Sequence, residues 1–276
     1  MEISLADERA FLLTPKVTRD EARARVDAKR TTLVAGTIGA TIARVKPEAI
    51  TFISAGARLM PFWHVKIHAR TVYERSRPHT LPASGPEVQA ITVLGQELSV
   101  DPKLKGVPLT AVERCLNEIR AERTFEPDGR KGDFGRYLGG PKEEIPDVES
   151  FTQPDTSIEA PEARASAVVR QVMCDVVKPV QAQRIHEERV DVEAIDLYFR
   201  PVYSFEYEWV VKGKRVVIDF DAITGETGEG GATLQSKIRG MLQRDMLFDV
   251  TADAIGMILP GGSIAVKLVK AVVDRK

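Results

Sequence analysis

Two stretches of alternating apolar and polar residues, one after Pro61 and one after Pro201, constrain the fold more than any other feature of this sequence. A period of two residues is typical of a β-strand with one buried face. The apolar positions are Trp63, Val65, Ile67, Ala69 and Tyr73 in the first stretch, and Tyr203, Phe205, Tyr207, Trp209 and Val211 in the second. We therefore expect two half-buried strands, each following a proline that ends an earlier strand.

The surroundings of the two prolines also match at an offset of 140 residues (201 − 61). The aligned pairs are Trp63 with Tyr203, Val65 with Phe205, and Ile67 with Tyr207. A predicted helix precedes each strand, because Thr18 and Glu21 form a capping box and Pro161 suits a first helical turn. This order predicts two divergent copies of one helix-then-sheet unit. The alternative is that any two half-buried strands alternate alike.

Further segments complete the predicted fold. A second capping box at Thr110 predicts a helix with Val112, Leu116 and Ile119 on one face, and residues 124–158 are a connector rich in glycine and proline. The last 45 residues predict a helical hairpin, whose final helix begins at Ser263. The chain is thus predicted to be α+β: two helix-plus-antiparallel-sheet modules with a C-terminal helical hairpin. The expected boundaries are 1–107 for the first module, 108–158 for the helix and connector, 159–231 for the second module and 232–276 for the hairpin.

Several motifs of the second copy also carry a family resemblance. The run Phe199-Arg200-Pro201-Val202-Tyr203-Ser204-Phe205-Glu206-Tyr207 follows a predicted helix, and Asp219-Phe220-Asp221-Ala222-Ile223-Thr224-Gly225-Glu226 ends a strand. In these features the second copy resembles a PepSY-type module, and Thr18-Arg19-Asp20-Glu21-Ala22 resembles the helix opening of the same family. The resemblance implies a fold, and proteins with this module are often extracytoplasmic and linked to binding or restraining peptidases. The first copy departs from the pattern, since residues 75–86 replace a short hairpin and no clear strand-ending motif follows.

Bulk properties limit the partners and the compartment. The 276 residues carry a net charge of −1, so no overall field recruits nucleic acid, and a nucleic-acid partner is not expected. A membrane-spanning segment is not expected either, because the most apolar stretch, 254–266, is interrupted by Pro260 and is shorter than the roughly 20 residues required. The sequence has no signal-like start, and Cys115 and Cys174 are expected to be buried thiols, so a cytoplasmic location is predicted.

No catalytic constellation is recognisable, and no cofactor or metal is predicted. His64 and His68 are four residues apart, but on a strand that spacing separates them by roughly 13 Å, too far for one zinc ion. Asp219 and Asp221 share one strand face, where we expect solvated acids.

The polar faces of the two aromatic strands differ in charge. The first is basic, with His64, Lys66, His68 and Arg70, and the second carries Ser204, Glu206 and Glu208. We predict that His64, Lys66, His68, Arg70, Glu206 and Glu208 form an interaction face in which the two rows oppose each other. Two separately solvated faces are an equal alternative.

These observations favour a non-enzymatic protein-binding or scaffolding protein that uses a sheet face, a sheet edge or the terminal hairpin. The partner is another protein or a second copy of the chain in a dimer, and the C-terminal helices offer a further contact with a membrane surface. The rival hypothesis is an enzyme or small-ligand-binding protein with a site between the modules, using His64, His68, Asp219 or Asp221.

Overall fold

A computed structural model describes residues 1–36, 45–230 and 242–250, together with the backbone of 267–270. It is mostly sheet, and 11 of its strands form one mixed sheet. The strands are β1 (Glu2–Leu5), β2 (Glu8–Leu13), β3 (Ile50–Pro82), β4 (Ala90–Val93), β5 (Gln96–Ser99), β6 (Gly106–Phe125), β7 (Lys131–Gly132), β8 (Lys142–Ile145), β9 (Thr156–Ile158), β10 (Arg184–Trp209), β11 (Lys214–Asp221), β12 (Thr227–Glu229) and β13 (Lys267–Lys270). The helices are α1 (Arg19–Ala35), α2 (Gly135–Leu138), α3 (Ala165–Val176) and α4 (Arg244–Leu247), with 3-10 turns at Pro47–Ala49 and Val210–Lys212.

The centre of the sheet is a long antiparallel pairing of β3 with β10, which extends over 24 residue pairs. Pro61 lies opposite Phe199 and Pro201 lies opposite Leu59, so each proline is inside a continuous strand instead of ending one. Proline is tolerated there because the neighbouring strand changes at that point. On the outer side of β3, β9 pairs as far as Leu59 and β6 begins at Trp63. The carbonyl of Leu59 accepts from Glu159 on that outer side, so the missing N–H of Pro61, two residues further on, also faces outward, where no ladder needs it.

Each half of the chain contributes a helix, a long strand and a return strand to this one sheet. The strand order is β12-β11-β10-β3-β6-β7, and β1 and β2 pair in parallel with β10. Met60 lies opposite Arg200, and these two residues are themselves 140 positions apart. Any two residues matched at the offset of 140 are therefore equally far, along β3 and along β10, from this central pair. The arrangement agrees with an internal duplication, which stays a prediction.

The helices explain why the predicted separate modules are wrong. Helix α1 from the first half contacts β10 and β11 and packs against Phe205 and Tyr207. Helix α3 from the second half contacts β3 and β6, and the indole N–H of Trp63 donates to the carbonyl of Ala163 at 3.0 Å, just before α3. Because each helix packs on strands of the other half, the two units share one sheet and one set of cores. Helix α3 buries the predicted stripe of Val168, Val169, Val172 and Val176.

Three predicted elements are wrong. The helix expected from Thr110 is the strand β6, whose residues alternate between exposed and half-buried as they pair with β3. The connector 124–158 contains β7, α2, β8 and β9. The helix expected after Ser263 is replaced at Lys267–Lys270 by β13, which pairs in parallel with β1. The rest of the predicted hairpin, apart from residues 242–250, lies outside the described residues.

Other expectations have different outcomes. The cysteines are not buried: Cys115 is half-buried on β6 and Cys174 is exposed on α3. Within the described part of the chain, no helix is both long and apolar enough to cross a membrane. The boundaries at residues 107, 158 and 231 stay predictions, although β6 crosses the first of them.

Candidate functional site

The polar residues of the central strands lie on the sheet face opposite the two helices, which we call the polar sheet face. It consists of Ser54, Arg58, His64, Lys66, His68 and Arg70 on β3, Glu118 and Glu122 on β6, and Asp196, Ser204 and Glu206 on β10. These positions are fixed by strand alternation, because the residues between them, such as Trp63 and Val65, point into the core.

The basic residues predicted on β3 each have an acidic partner within the sheet. Lys66 contacts Glu193 at 2.8 Å and His68 contacts Glu118 at 2.7 Å. Arg70 pairs with Glu187 at 3.3 Å. The hydrogen bond that Lys66 donates to Glu193 raises the pKa of Lys66. The basic row is therefore neutralised by its own neighbours.

The acidic residues predicted on β10 lie at the other end of the sheet. Glu206 accepts a hydrogen bond from the Ser54 hydroxyl at 2.9 Å, and Arg215 lies 3.9 Å from both Glu206 and Glu208. The prediction that the two rows oppose each other is wrong, because residue 206 pairs with residue 54 and not with the row beginning at His64. A role of the six residues in contacting a partner stays a prediction.

His64 is the most enclosed histidine of the polar sheet face. Its Nδ1 lies 3.2 Å from Asp196, and its Nε2 lies 2.9 Å from Glu122. Asp196 in turn receives the Arg9 guanidinium at 2.9 Å. Carboxylates on both ring nitrogens fix the imidazole and leave neither nitrogen directed at a substrate.

Asp219 and Arg58 belong to a second network, in which Arg58 is buried and Asp219 is half-buried. Arg58 donates to the Ser204 hydroxyl at 3.0 Å and to Glu159 at 2.8 Å, and it also pairs with Asp219. Ser204 donates to Asp219 at 2.6 Å. The expectation of a solvated Asp219 is therefore wrong.

Asp221 is also buried, in a third network that includes the residue before Pro201. It accepts from the Tyr137 hydroxyl at 2.7 Å and from Arg200 at 2.5 Å, and from the backbone N–H groups of Ile223 and Thr224 at 2.9 Å. Burial, the largest influence, favours the neutral acid, but these hydrogen bonds together hold the pKa of Asp221 below its usual value. The strand-ending motif thus has a structural function.

An aromatic cluster separates the networks of His64 and Asp221. Phe62 is fully buried and stacks on Tyr198 at 5.1 Å and on Phe134 at 4.6 Å. Tyr137 closes the cluster at 5.7 Å from Phe62. The segment around α2 is therefore anchored on the polar sheet face, and an open cleft of about 620 Å³ lies beside it, lined by charged residues that include Glu122 and Lys131.

Sequence reasoning missed most of these partners. Arg58 and Arg200 were not singled out, although each is a charged residue next to apolar positions of a strand. This charge beside apolar positions is the one local signal that could have identified Arg58 and Arg200, because a charge within a core strand requires a buried counter-charge. Asp196 and Glu122 carry no local signal, since 132 and 58 residues separate them from His64.

Besides the polar sheet face, the described part of the chain has a long free edge of the sheet at β6. β6 pairs with β3 over 20 consecutive positions without a register shift, and β7 covers its other side only at Thr124 and Phe125. No other described residue pairs with that side between 107 and 123. We call residues 110–122 the β6 edge. Its exposed side chains are Thr110, Val112, Arg114, Leu116, Glu118, Arg120 and Glu122.

Comparison with known proteins gives no match to a protein-family model, to a curated protein or to a solved structure. Among the residues with described side chains, no group of three or more histidine, cysteine, aspartate and glutamate side chains is arranged to hold a metal ion.

Proposed function

We propose that this protein is a non-enzymatic binding or scaffolding protein that pairs the β6 edge with an extended strand of a protein partner. The observation that carries the proposal is the length of the uncovered edge on a strand of 20 residues. An uncovered strand presents a row of N–H and C=O groups and is a template for another strand.

The direction of the backbone groups supports this proposal. The N–H and C=O of Gly106 bond with Asp101, while the carbonyl of Lys105 faces β3 through Ala83. At the other end, the N–H of Glu126 bonds with Arg130, again away from β3. Because alternate residues of a strand point their backbone groups to the same side, the even-numbered residues from 110 to 122 direct theirs outward. Pro108 is also even-numbered, so the N–H that it lacks is an outward one.

The saturation of the buried acids and bases also supports binding over catalysis. His64 has a carboxylate on each nitrogen, and Asp219 and Asp221 are paired with Arg58 and Arg200. A general base needs a free site directed at the substrate. These networks are therefore assigned to the stability of the sheet.

A displayed library of random peptides, selected on the whole protein, tests the proposal. We expect the selected peptides to slow amide exchange at the outward residues from Thr110 to Glu122. Leu116→Pro removes an outward N–H and is expected to abolish peptide binding while the protein stays folded. Asn117→Pro is the matched control, since its N–H faces β3 and its loss should disrupt the pairing of β6 with β3. Peptides that protect other regions only would contradict the proposal.

A small-ligand protein is the second candidate, and the cleft beside Glu122 favours it. A thermal-shift screen of small anions and cations separates the two candidates. A compound that raises the melting temperature, and loses that effect in Lys131→Ala, would support a ligand site in the cleft.

The class of partner and the cellular compartment are also part of this proposal. The PepSY-type resemblance adds peptidases to the partners to be tested. The free Cys115 and the exposed Cys174 suit a reducing compartment, which is the basis for proposing the cytoplasm.

A further inference from the structure

We propose that the partner of the β6 edge is the β6 edge of a second copy of this chain, paired antiparallel about a two-fold axis at Leu116. This inference rests on the proposed function, because it names the strand that the edge receives. It assigns a specific register, which the sequence of the edge selects.

The charges of the edge are self-complementary around Leu116. Arg114 and Glu118 lie two residues on either side of it, and both are exposed. In an antiparallel pair centred on Leu116, Arg114 of each copy faces Glu118 of the other, and the two Leu116 side chains meet on the axis. Opposite charges directly across two strands stabilise that register.

The outward apolar residues of the edge fit the same pairing. Val112 is 65% exposed and Leu116 is 57% exposed, which is high for large apolar side chains on a strand. Pairing removes part of both side chains from water, since each strand covers the flank of the other. Arg120 of one copy then lies opposite Val112 of the other, where its aliphatic part covers the valine.

Other registers are worse for the same residues. A centre at Arg114 or at Glu118 places like charges on the axis, and a centre at Asn117 places Arg114 opposite Arg120. A centre at Cys115 gives no pair of opposite charges. A centre at Ile119 brings Arg114, inside the edge, opposite Thr124, where β7 already pairs, whereas a centre at Leu116 brings only Pro108 there, outside residues 110–122. Leu116 is therefore the centre that the edge favours.

The groups that the pairing requires are available. Within the described chain, Arg114 has no ion-pair partner, and Glu118 shares its exposed carboxylate with His68 and Arg120. The outward residues also present both backbone groups, so each cross-strand pair exchanges two N–H···O bonds. No register shift interrupts the ladder with β3, so the edge stays regular along its length.

Charge reversal tests the register, with the oligomeric state of the full chain measured by sedimentation equilibrium. We expect a dimer for the natural sequence. Arg114→Glu or Glu118→Arg alone should raise the dimer dissociation constant at least about tenfold, because each places like charges opposite each other twice. The double reversal should restore dimerisation. Arg77→Glu is the control and should leave the dimer unchanged, because this exposed arginine of β3 pairs with Ala111 and so lies on the sheet face opposite Arg114 and Glu118.

A crosslink provides a second measurement that does not depend on charge. In a Cys115→Ser and Cys174→Ser background, Leu116→Cys places one thiol of each copy on the axis and should form an intermolecular disulfide on mild oxidation. Val112→Cys, which faces Arg120 of the other copy, should not.

The outcomes separate this inference from the proposed function. A protein that stays monomeric up to its solubility limit overturns self-pairing, as does a dimer that both single reversals leave intact. If that protein still binds library peptides at residues 110–122, the proposed function holds and the partner is a different protein. If it binds no peptide there, both fail.

Discussion

At the scale of single residues, three arginines and their carboxylates fix the polar sheet face. Arg58 pairs with Asp219, Arg200 with Asp221, and Arg9 with Asp196. The three aspartates are largely removed from water, and a buried carboxylate stays charged only when it is paired. Replacing any of the three aspartates by a neutral residue should therefore lower the stability of the protein.

Asp221→Asn should lower the free energy of unfolding by about 3 kcal/mol, because it leaves the Arg200 guanidinium without a counter-charge in a buried site. The change is measured by urea denaturation followed by circular dichroism. Glu226→Gln is the control, since it breaks an ion pair with Arg136 in which both side chains are at least half exposed. It should change stability little, and an equal loss in both variants would contradict the assignment.

The comparison of the natural protein with Asp221→Asn also gives a prediction of how stability depends on pH. Because the folded-state pKa of Asp221 is lowered, its charge contributes stability at pH values above the unfolded-state pKa of about 3.9. That contribution is lost as the pH falls through the folded-state pKa. The stability advantage of the natural protein over Asp221→Asn should therefore be constant from pH 5 to pH 7 and shrink below about pH 4. Denaturation curves at several pH values check this.

At the scale of elements, the same local signal, a capping box, predicts one helix correctly and another wrongly. The capping box of α1 is confirmed: Thr18 accepts from the N–H of Glu21 at 3.3 Å, and Glu21 accepts from the N–H of Thr18 at 3.0 Å. A similar pattern at Thr110 gives a strand, because residues 106–125 pair with β3 along their full length. Tertiary pairing overrides local propensity there.

Thr18→Ala should lower the free energy of unfolding by about 1 kcal/mol, because one N–H of the first turn of α1 loses its acceptor. Thr32→Ala is the matched control. Thr32 is exposed in the last turn of the same helix, where alanine has the higher helix propensity, so this variant should be neutral or slightly stabilised. Thermal unfolding of both proteins provides the comparison.

At the scale of the whole molecule, the two halves depend on each other. Helix α1 packs on strands of the second half and α3 packs on strands of the first. The pairing of β3 with β10 joins the halves through 24 residue pairs. Neither half has a complete core by itself.

Fragments 1–153 and 154–276 should therefore fail to fold alone, and a one-to-one mixture should regain cooperative thermal unfolding. The cut lies in an exposed segment before β9, so it removes no strand. Circular dichroism of each fragment and of the mixture measures the result. A cooperative transition in either isolated fragment would contradict the dependence.

The sequence alone determined the features that depend on neighbours along the chain. The alternation after Pro61 and Pro201, the cap at Thr18 and the buried valines of α3 follow from local periodicity and short-range hydrogen bonds. Only the tertiary structure decided that Pro61 and Pro201 lie inside two strands that pair with each other, that the helices cross between the halves, and that Arg58 and Arg200 meet Asp219 and Asp221. The two ion pairs alone join residues 161 and 21 positions apart, and no local pattern encodes which distant strand supplies the partner.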